Sequence, residues 1–269
     1  MQIGIMQGRL LPFFKKNYQA HPIGSWQKEF FIANDLGLNS IEFILDSYFY
    51  KDNPLINNEG LSEIKSLINK TGINVSSVCA DIFMDWPIQN IVDSEKDLYI
   101  SIINKLIESL SIIGGRDIII PFVDNSKIKN EKEKIFIIDF LNKFEKKALQ
   151  NDINICIESD LKPSELNKFI REFDNEKIKI NYDSGNSASL GYKFIDELAL
   201  YQDKIQNIHI KDRKINGKSI LLGNGNAELK EVKKFIYSDK FNGTVTFQAY
   251  RDENQIETFK KQLYYFNSL

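Results

Sequence analysis

The sequence predicts a (β/α)8 barrel, and three observations lead there. Apolar segments of strand length alternate with amphipathic segments of helix length. The alternation repeats eight times along 269 residues, a length that suits such a barrel. No stretch rich in Pro, Gly or Ser divides the chain, so residues 1–269 read as a single domain. A doubly wound open sheet is the alternative arrangement of the same units.

The strand candidates are QIGIM (2–6), SIEFIL (40–45), NVSSVCA (74–80), DIIIPFV (117–123), INICIES (153–159), IKINYDS (178–184), NIHIKD (207–212) and TVTFQAY (244–250). Most are rich in β-branched or aromatic residues. Helical patterns lie between them. In the third, Leu98, Ile102, Leu106, Leu110 and Ile113 recur at three- and four-residue steps. Asp93 or Ser94 is placed to cap its start, and Gly114-Gly115 to stop it. In the fourth, Ile135, Ile138, Leu141, Phe144 and Ala148 form one apolar stripe. The charged tract KIKNEKEKIF (127–136) reads as a solvated helix face, not a binding tract. A last helix runs from Glu253 to about Phe266.

Composition narrows the function classes. Hydrophobic content of 42% and charged content of 27% are ordinary for a soluble globular protein. A net charge of −2 gives no electrostatic case for nucleic acid. Two cysteines, Cys79 and Cys156, cannot build a disulfide framework and read as buried free thiols, consistent with a reducing cytoplasm. The opening MQIGIMQGRL has no basic stretch followed by an apolar one, so no signal peptide is expected. No apolar run reaches the ~18 residues of a membrane span. The expectation is a cytoplasmic protein without a membrane partner.

Side-chain parity points to a site. Successive strand residues face opposite sides. In the last four strands one side is apolar and must meet the helices. The other side carries Glu158, Asp183, His209 and Gln248, each near the C-terminal end of its strand. That is the end where barrel enzymes place their chemistry. Four oxygen and nitrogen donors suit a divalent cation, Mn²⁺ or Mg²⁺ first and Zn²⁺ as an alternative. A buried polar network that only packs the barrel mouth is the competing reading. Against it, unpaired carboxylates are costly to bury, so two of them beside an imidazole call for a cation.

At these residues the chain resembles the xylose-isomerase-like TIM barrels, a group of sugar isomerases, ketose 3-epimerases, inosose dehydratases and abasic-site endonucleases. The resemblance rests on ICIESD, INYDSGN, NIHIKDR followed by LLGNGN, and TFQAYR, and it covers nearly the whole chain. In the ketose-epimerase branch, a Glu, an Asp, a His and a second Glu from strands 5 to 8 hold the metal, and the two Glu exchange substrate protons. The matching positions are Glu158, Asp183, His209 and Gln248. The resemblance therefore implies a sugar isomerase or epimerase with Glu158 as proton-transfer base and a divalent metal. It also implies a small carbohydrate substrate and a homo-oligomer.

The departures are informative. Gln248 can donate an oxygen to a metal but cannot act as a carboxylate base. Asn186 stands where relatives often have a substrate-binding His. With two histidines in all, the zinc cluster of the endonuclease branch is out of reach. A single base suffices for aldose–ketose isomerisation. Epimerisation needs another, for which Glu42 and Asp81 are candidates, each with an alternative life as a salt bridge or turn residue. Lys211 also points inward, to polarise a carbonyl, steady an enolate oxygen or pair with Asp183. Arg9, Arg213 and Arg251 follow strands 1, 7 and 8, and the loop GNGNAEL (223–229) runs into a helix. Together these favour an anionic substrate such as a sugar phosphate or sugar acid. The alternative is that the arginines pair with Asp212, Asp252 and Glu253. Phe13, Phe14, Trp26, Trp86 and Phe122 lie near the same face, either as a wall for a sugar ring or as packing. A dehydratase on the same scaffold and a catalytically weak sugar-binding barrel are the two rival functions.

Overall fold

The structure, a computed structural model, describes residues 3–269. Gln2, expected in the first strand, lies outside the described residues. Strands β1 (Ile3–Met6), β2 (Ser40–Ile44), β3 (Asn74–Cys79), β4 (Asp117–Phe122), β5 (Asn154–Ser159), β6 (Ile178–Asp183), β7 (Ile205–Ile210) and β8 (Thr244–Phe247) follow one another around a closed barrel. Every pair is parallel, and β8 returns to β1. The predicted barrel is observed, and the open sheet is not.

Helices alternate with the strands: α1 (Trp26–Asp35), α2 (Asn58–Thr71), α3 (Ile82–Asp85), α4 (Lys96–Ile113), α5 (Glu131–Leu141), α6 (Glu145–Asn151), α7 (Pro163–Arg171), α8 (Ser184–Ser189), α9 (Phe194–Tyr201), α10 (Leu229–Ile236) and α11 (Gln255–Ser268). Their ends follow local chemistry. Asn57 and Asn130 cap α2 and α5 through their side-chain oxygens. Gly114 stops α4 in the left-handed region, at φ 81°. Neither Asp93 nor Ser94 caps α4; a 3-10 turn, Asp93–Glu95, leads into it instead.

Both predicted stripes face the core except at their first residues. Leu98 and Ile135 are 40% and 52% exposed. Ile102, Leu106, Leu110 and Ile113 are buried in α4, with Ile103 and Ile107 beside them. In the next stripe Leu141, Phe144 and Ala148 are buried and Ile138 is half-buried, with Ile137 and Phe140 beside them. These helices are so rich in Ile that more than one apolar stripe satisfies the helical period. The charged tract before α5 does form a solvated helix start, with Glu131 paired to Lys134.

The space inside the barrel is two-sided. Met6, Ile44, Cys79, Ile119 and Cys156 form an apolar cluster contributed by β1 to β5. Both cysteines are free and buried, as the sequence suggested. The rest of the interior is polar and includes Glu42, Ser77, Asn181, Asn207 and His209. Outward residues such as Ile155, Ile157, Ile180, Ile208 and Phe247 join the helices in the main core. No described helix is long and apolar enough to cross a membrane.

Candidate functional site

Parity brings the expected ring together. Glu158, Asp183 and His209 each offer a ligand atom, and these atoms lie within 4.8 Å of one another. Asp183 ends β6 and caps α8: its Oδ1 accepts from the amides of Gly185 and Asn186, both at 2.8 Å. Its Oδ2 is thereby turned into the barrel mouth, where the Lys211 ammonium lies 3.2 Å away. Gln248 follows the last strand residue and accepts from Lys211 through Oε1 at 3.1 Å. Its Nε2 donates to Gln19 Oε1 at 3.0 Å.

Glu158 is held by two amides. Asn181 Nδ2 donates to its Oε2 at 2.7 Å, and Asn186 Nδ2 donates to its Oε1 at 2.6 Å. Oε1 keeps a free lone pair, while Oε2 also faces His209. His209 is fully buried. Its Nε2 lies 2.7 Å from Glu42 Oε1, while its Nδ1 faces Glu158 Oε2 at 3.4 Å. Burial alone would pull the imidazole pKa down. The Glu42 charge and the bonds to Glu158 and Glu42 overcome it and push it up to about 10.

The chemistry of these donors fits a divalent cation that displaces the His209 proton: two carboxylates, an imidazole nitrogen and an amide oxygen. The Glu42–His209 contact has the carboxylate–histidine form that orients metal-binding imidazoles. A cavity of about 320 Å³ opens over the ring, lined by Glu158, Lys211, Asn186, Arg213, Gln248 and Asp81 among others. A larger groove of about 780 Å³ lies at the opposite end of the barrel, beside Asn74 and Thr244. It contains no carboxylate and no imidazole, so the smaller cavity is the candidate site.

Several expected substrate contacts lie elsewhere. Glu42 is inside the barrel and has no exposed surface. Ser77 Oγ donates to it at 2.6 Å and Asn207 Nδ2 at 3.0 Å, in addition to the His209 contact. It is not a base at the mouth, because β2 continues two residues beyond it. Arg9 is buried and donates to Ala249 O, Tyr18 O and Gln19 Oε1 at 3.1, 3.2 and 2.9 Å. Arg251 is buried too; it donates to Tyr18 O at 3.3 Å and to Leu11 O, and lies 4.1 Å over the Phe13 ring. Both guanidiniums fasten the loop after β1 to the end of β8, and neither lines the cavity. Burial lowers both, Arg251 to about 10. Glu29 supports the same loop through the amides of Gly8 and Leu10, and burial raises its carboxyl to about 7.

The loop 223–229 is not an open anion cradle. Asp212 fills it: Gly223 N, Gly225 N and Ala227 N donate to its two oxygens at 2.9, 2.9 and 3.0 Å. The protein supplies its own anion there. Among the described residues no ion pair joins Arg9, Arg213 or Arg251 to Asp212, Asp252 or Glu253. Arg213 does reach the cavity and donates to Asn186 Oδ1 at 2.7 Å. Lys211 both pairs with Asp183 and faces the cavity. Trp26 and Phe122 are core residues, Phe13 lies under Arg251, and Trp86 packs on Tyr50 and Tyr99. No aromatic ring lines the cavity. His21 is buried beside Gln7, and burial holds it down to about 4.

Sequence reading missed Gln19, which joins Arg9, Gln248 and Asp81 by hydrogen bonds of 2.9, 3.0 and 2.6 Å. It lies in a loop, where no period reports direction. Asn181 had a signal: it shares the inward side of β6 with Asp183. Asp81 takes bonds from Gln19 and from Cys79 Sγ, and burial raises it to about 6.

The family described as xylose isomerase-like TIM barrel matches residues 30–269. The chain belongs to that family. An inosose dehydratase from Geobacillus thermodenitrificans (strain NG80-2) is 23% identical over 133 residues, 48% of this chain and 45% of that protein. The match thus spans less than half of that relative. The apo structure of 3-keto-D-glucoside 4-epimerase from E. coli superimposes with a TM-score of 0.74 at 17% identity, covering all of both chains. The IOLI protein with a zinc atom gives 0.76 at 16% identity, covering 100% of this chain and 98% of that one. At these identities the two structures report the fold of this family member.

Proposed function

We propose that this barrel is a sugar isomerase or epimerase that moves a proton between adjacent carbons of a small hydroxy-carbonyl substrate, with Glu158 as the base. One observation carries the reading. Glu158 faces a cavity, held at both oxygens by two amides, beside a lysine and an arginine. A base so held can take a proton from a carbon next to a carbonyl. The electron pair then moves onto the carbonyl oxygen, giving an enediolate. Lys211 and Arg213 stand where positive charge would stabilise it. Transfer of the hydroxyl proton from one oxygen to the other, and return of the abstracted proton to the neighbouring carbon, complete isomerisation.

Glu158, Asp183 and His209, with the Gln248 amide oxygen, are the residues that would hold a divalent metal. Mn²⁺ or Mg²⁺ suits the oxygen donors, and Zn²⁺ is the ion in the IOLI structure. When bound, such an ion polarises substrate oxygens. Gln248 takes no part as a base. With Arg9 and Arg251 committed to backbone carbonyls, an anionic substrate would rest on Arg213 and Lys211, so a neutral sugar fits equally well. An oligomeric cytoplasmic enzyme remains part of the proposal.

Dehydration is the second reading, favoured by Asp81. Expelling a β-hydroxyl needs a general acid, and a carboxyl raised to about 6 can carry that proton. The inosose dehydratase match points the same way. The test is incubation of the metal-supplied protein with a panel of ketoses, inososes and sugar acids in D2O, read by mass spectrometry. Deuterium gain at constant composition supports isomerisation. Loss of one water supports dehydration. Thermal stabilisation by a sugar without either change would leave a binding protein.

A further inference from the structure

Lys211 stands inside the expected metal ring. Its Nζ donates to Gln248 Oε1 at 3.1 Å and to Asp183 Oδ2 and Asn186 Oδ1 at 3.2 Å each. An ammonium has three N–H bonds, and here each finds one acceptor. Two of the acceptors, Asp183 and Gln248, are the residues named above as metal ligands.

The cradle is built around the lysine. The Nε2 of Gln248 is tied to Gln19, which turns the Gln248 oxygen toward the ammonium. The Nδ2 of Asn186 is tied to Glu158, which turns the Asn186 oxygen the same way. Residue 185 is glycine, and a Cβ there would lie 2.6 Å from Lys211 Cγ. The missing side chain is what lets the lysine stem pass the start of α8. At residue 248 a neutral amide stands where a carboxylate would add a negative charge.

A divalent ion and an ammonium sharing the same oxygens repel each other in a site this buried. We propose that Lys211 is an internal competitor of the divalent cation: its ammonium holds Asp183 and Gln248 in the metal-free protein and must release them when an ion binds. The lysine thus sets the metal affinity low. This inference rests on the ligand assignment in the proposed function, and makes Lys211 a positioning residue toward the metal.

The test uses the full chain, stripped with chelator, dialysed and titrated with Mn²⁺ alone. Free ion is followed by electron paramagnetic resonance. Wild type is compared with Lys211→Met and Lys211→Gln, the latter keeping a polar side chain should the former fold poorly; circular dichroism checks each. The expected result is a single ion per chain, held on the order of 10- to 100-fold more tightly in both neutral variants. Adding Asp183→Asn to either variant removes the gain. Equal or weaker binding in both variants overturns the inference while leaving the ligand assignment standing. If no protein binds Mn²⁺, the inference and the assignment fall together, and the D2O experiment still tests Glu158.

Discussion

Glu42 Oε1 lies 2.7 Å from His209 Nε2 in the middle of the barrel, and neither residue is exposed. The carboxylate therefore fixes the imidazole from below, leaving Nδ1 toward Glu158. Removing one partner of a buried pair strands the other. Glu42→Ala should cost about 3–5 kcal/mol in urea unfolding. Glu42→Gln keeps the shape and should cost less, yet weaken Mn²⁺ binding on the order of 10- to 100-fold. A Glu42→Ala protein as stable as wild type would mean the contact carries no structural weight.

Glu158→Gln should leave the fold intact and slow deuterium incorporation into a turned-over sugar by roughly 10²- to 10⁴-fold. The comparison requires only initial rates in D2O with the substrate found by screening. An unchanged rate would hand the role of base to Asp81.

Asp117 lies at the other end of the barrel, bonded to Asn154 Nδ2 at 2.7 Å and to Thr244 Oγ1 at 2.8 Å. Burial raises its carboxyl from 3.8 to about 6. The native state thus holds this proton more tightly than the unfolded chain. That advantage is full below about pH 4 and lost as pH rises through 6. Its size is on the order of 3 kcal/mol. Unfolding free energies of wild type and Asp117→Asn, measured from pH 4 to 8, should diverge in this window. The wild type should lose stability with rising pH that the variant retains. Parallel curves would show that the group does not titrate differently on folding.

Asp212 accepts three backbone amides from the loop 223–227. Its replacement by alanine should cost about 2–4 kcal/mol, since bonds to a charged acceptor are the stronger kind. It should also expose the loop to limited proteolysis. Asp212→Asn keeps one oxygen and should fall between the two. Mass mapping of the first cut shows whether that loop is where the variant opens.

Strands 5 to 8 were readable because each carries a strict alternation of apolar and polar residues. Glu158, Asp183 and His209 each sit on the polar side, and the structure gathers them. Glu42 shows what parity leaves out. Its inward direction was legible, but its depth depends on the stagger of β2 against β3, where the register shifts between Ile41 and Glu42. Arg9, Arg251 and Asp212 lie just beyond strands, where no period applies. The two arginines and the loop 223–229 look ready for an anion, and only the fold reveals that backbone carbonyls engage the arginines and that Asp212 engages the loop amides. Leu98 and Ile135 failed for a different reason. Each leads its stripe at the N-terminal end, and the residues that follow it in the stripe are buried or half-buried.

The close approach at Gly185 reaches beyond this molecule. A methyl group there and a long side chain at 211 exclude each other, since the first would stand 2.6 Å from the second's Cγ. Position 185 is therefore free to drift only after position 211 has changed. Among descendants of this chain, a lineage that gains a larger residue at 185 must first shorten or redirect residue 211, and so must first empty the ring of its own cation.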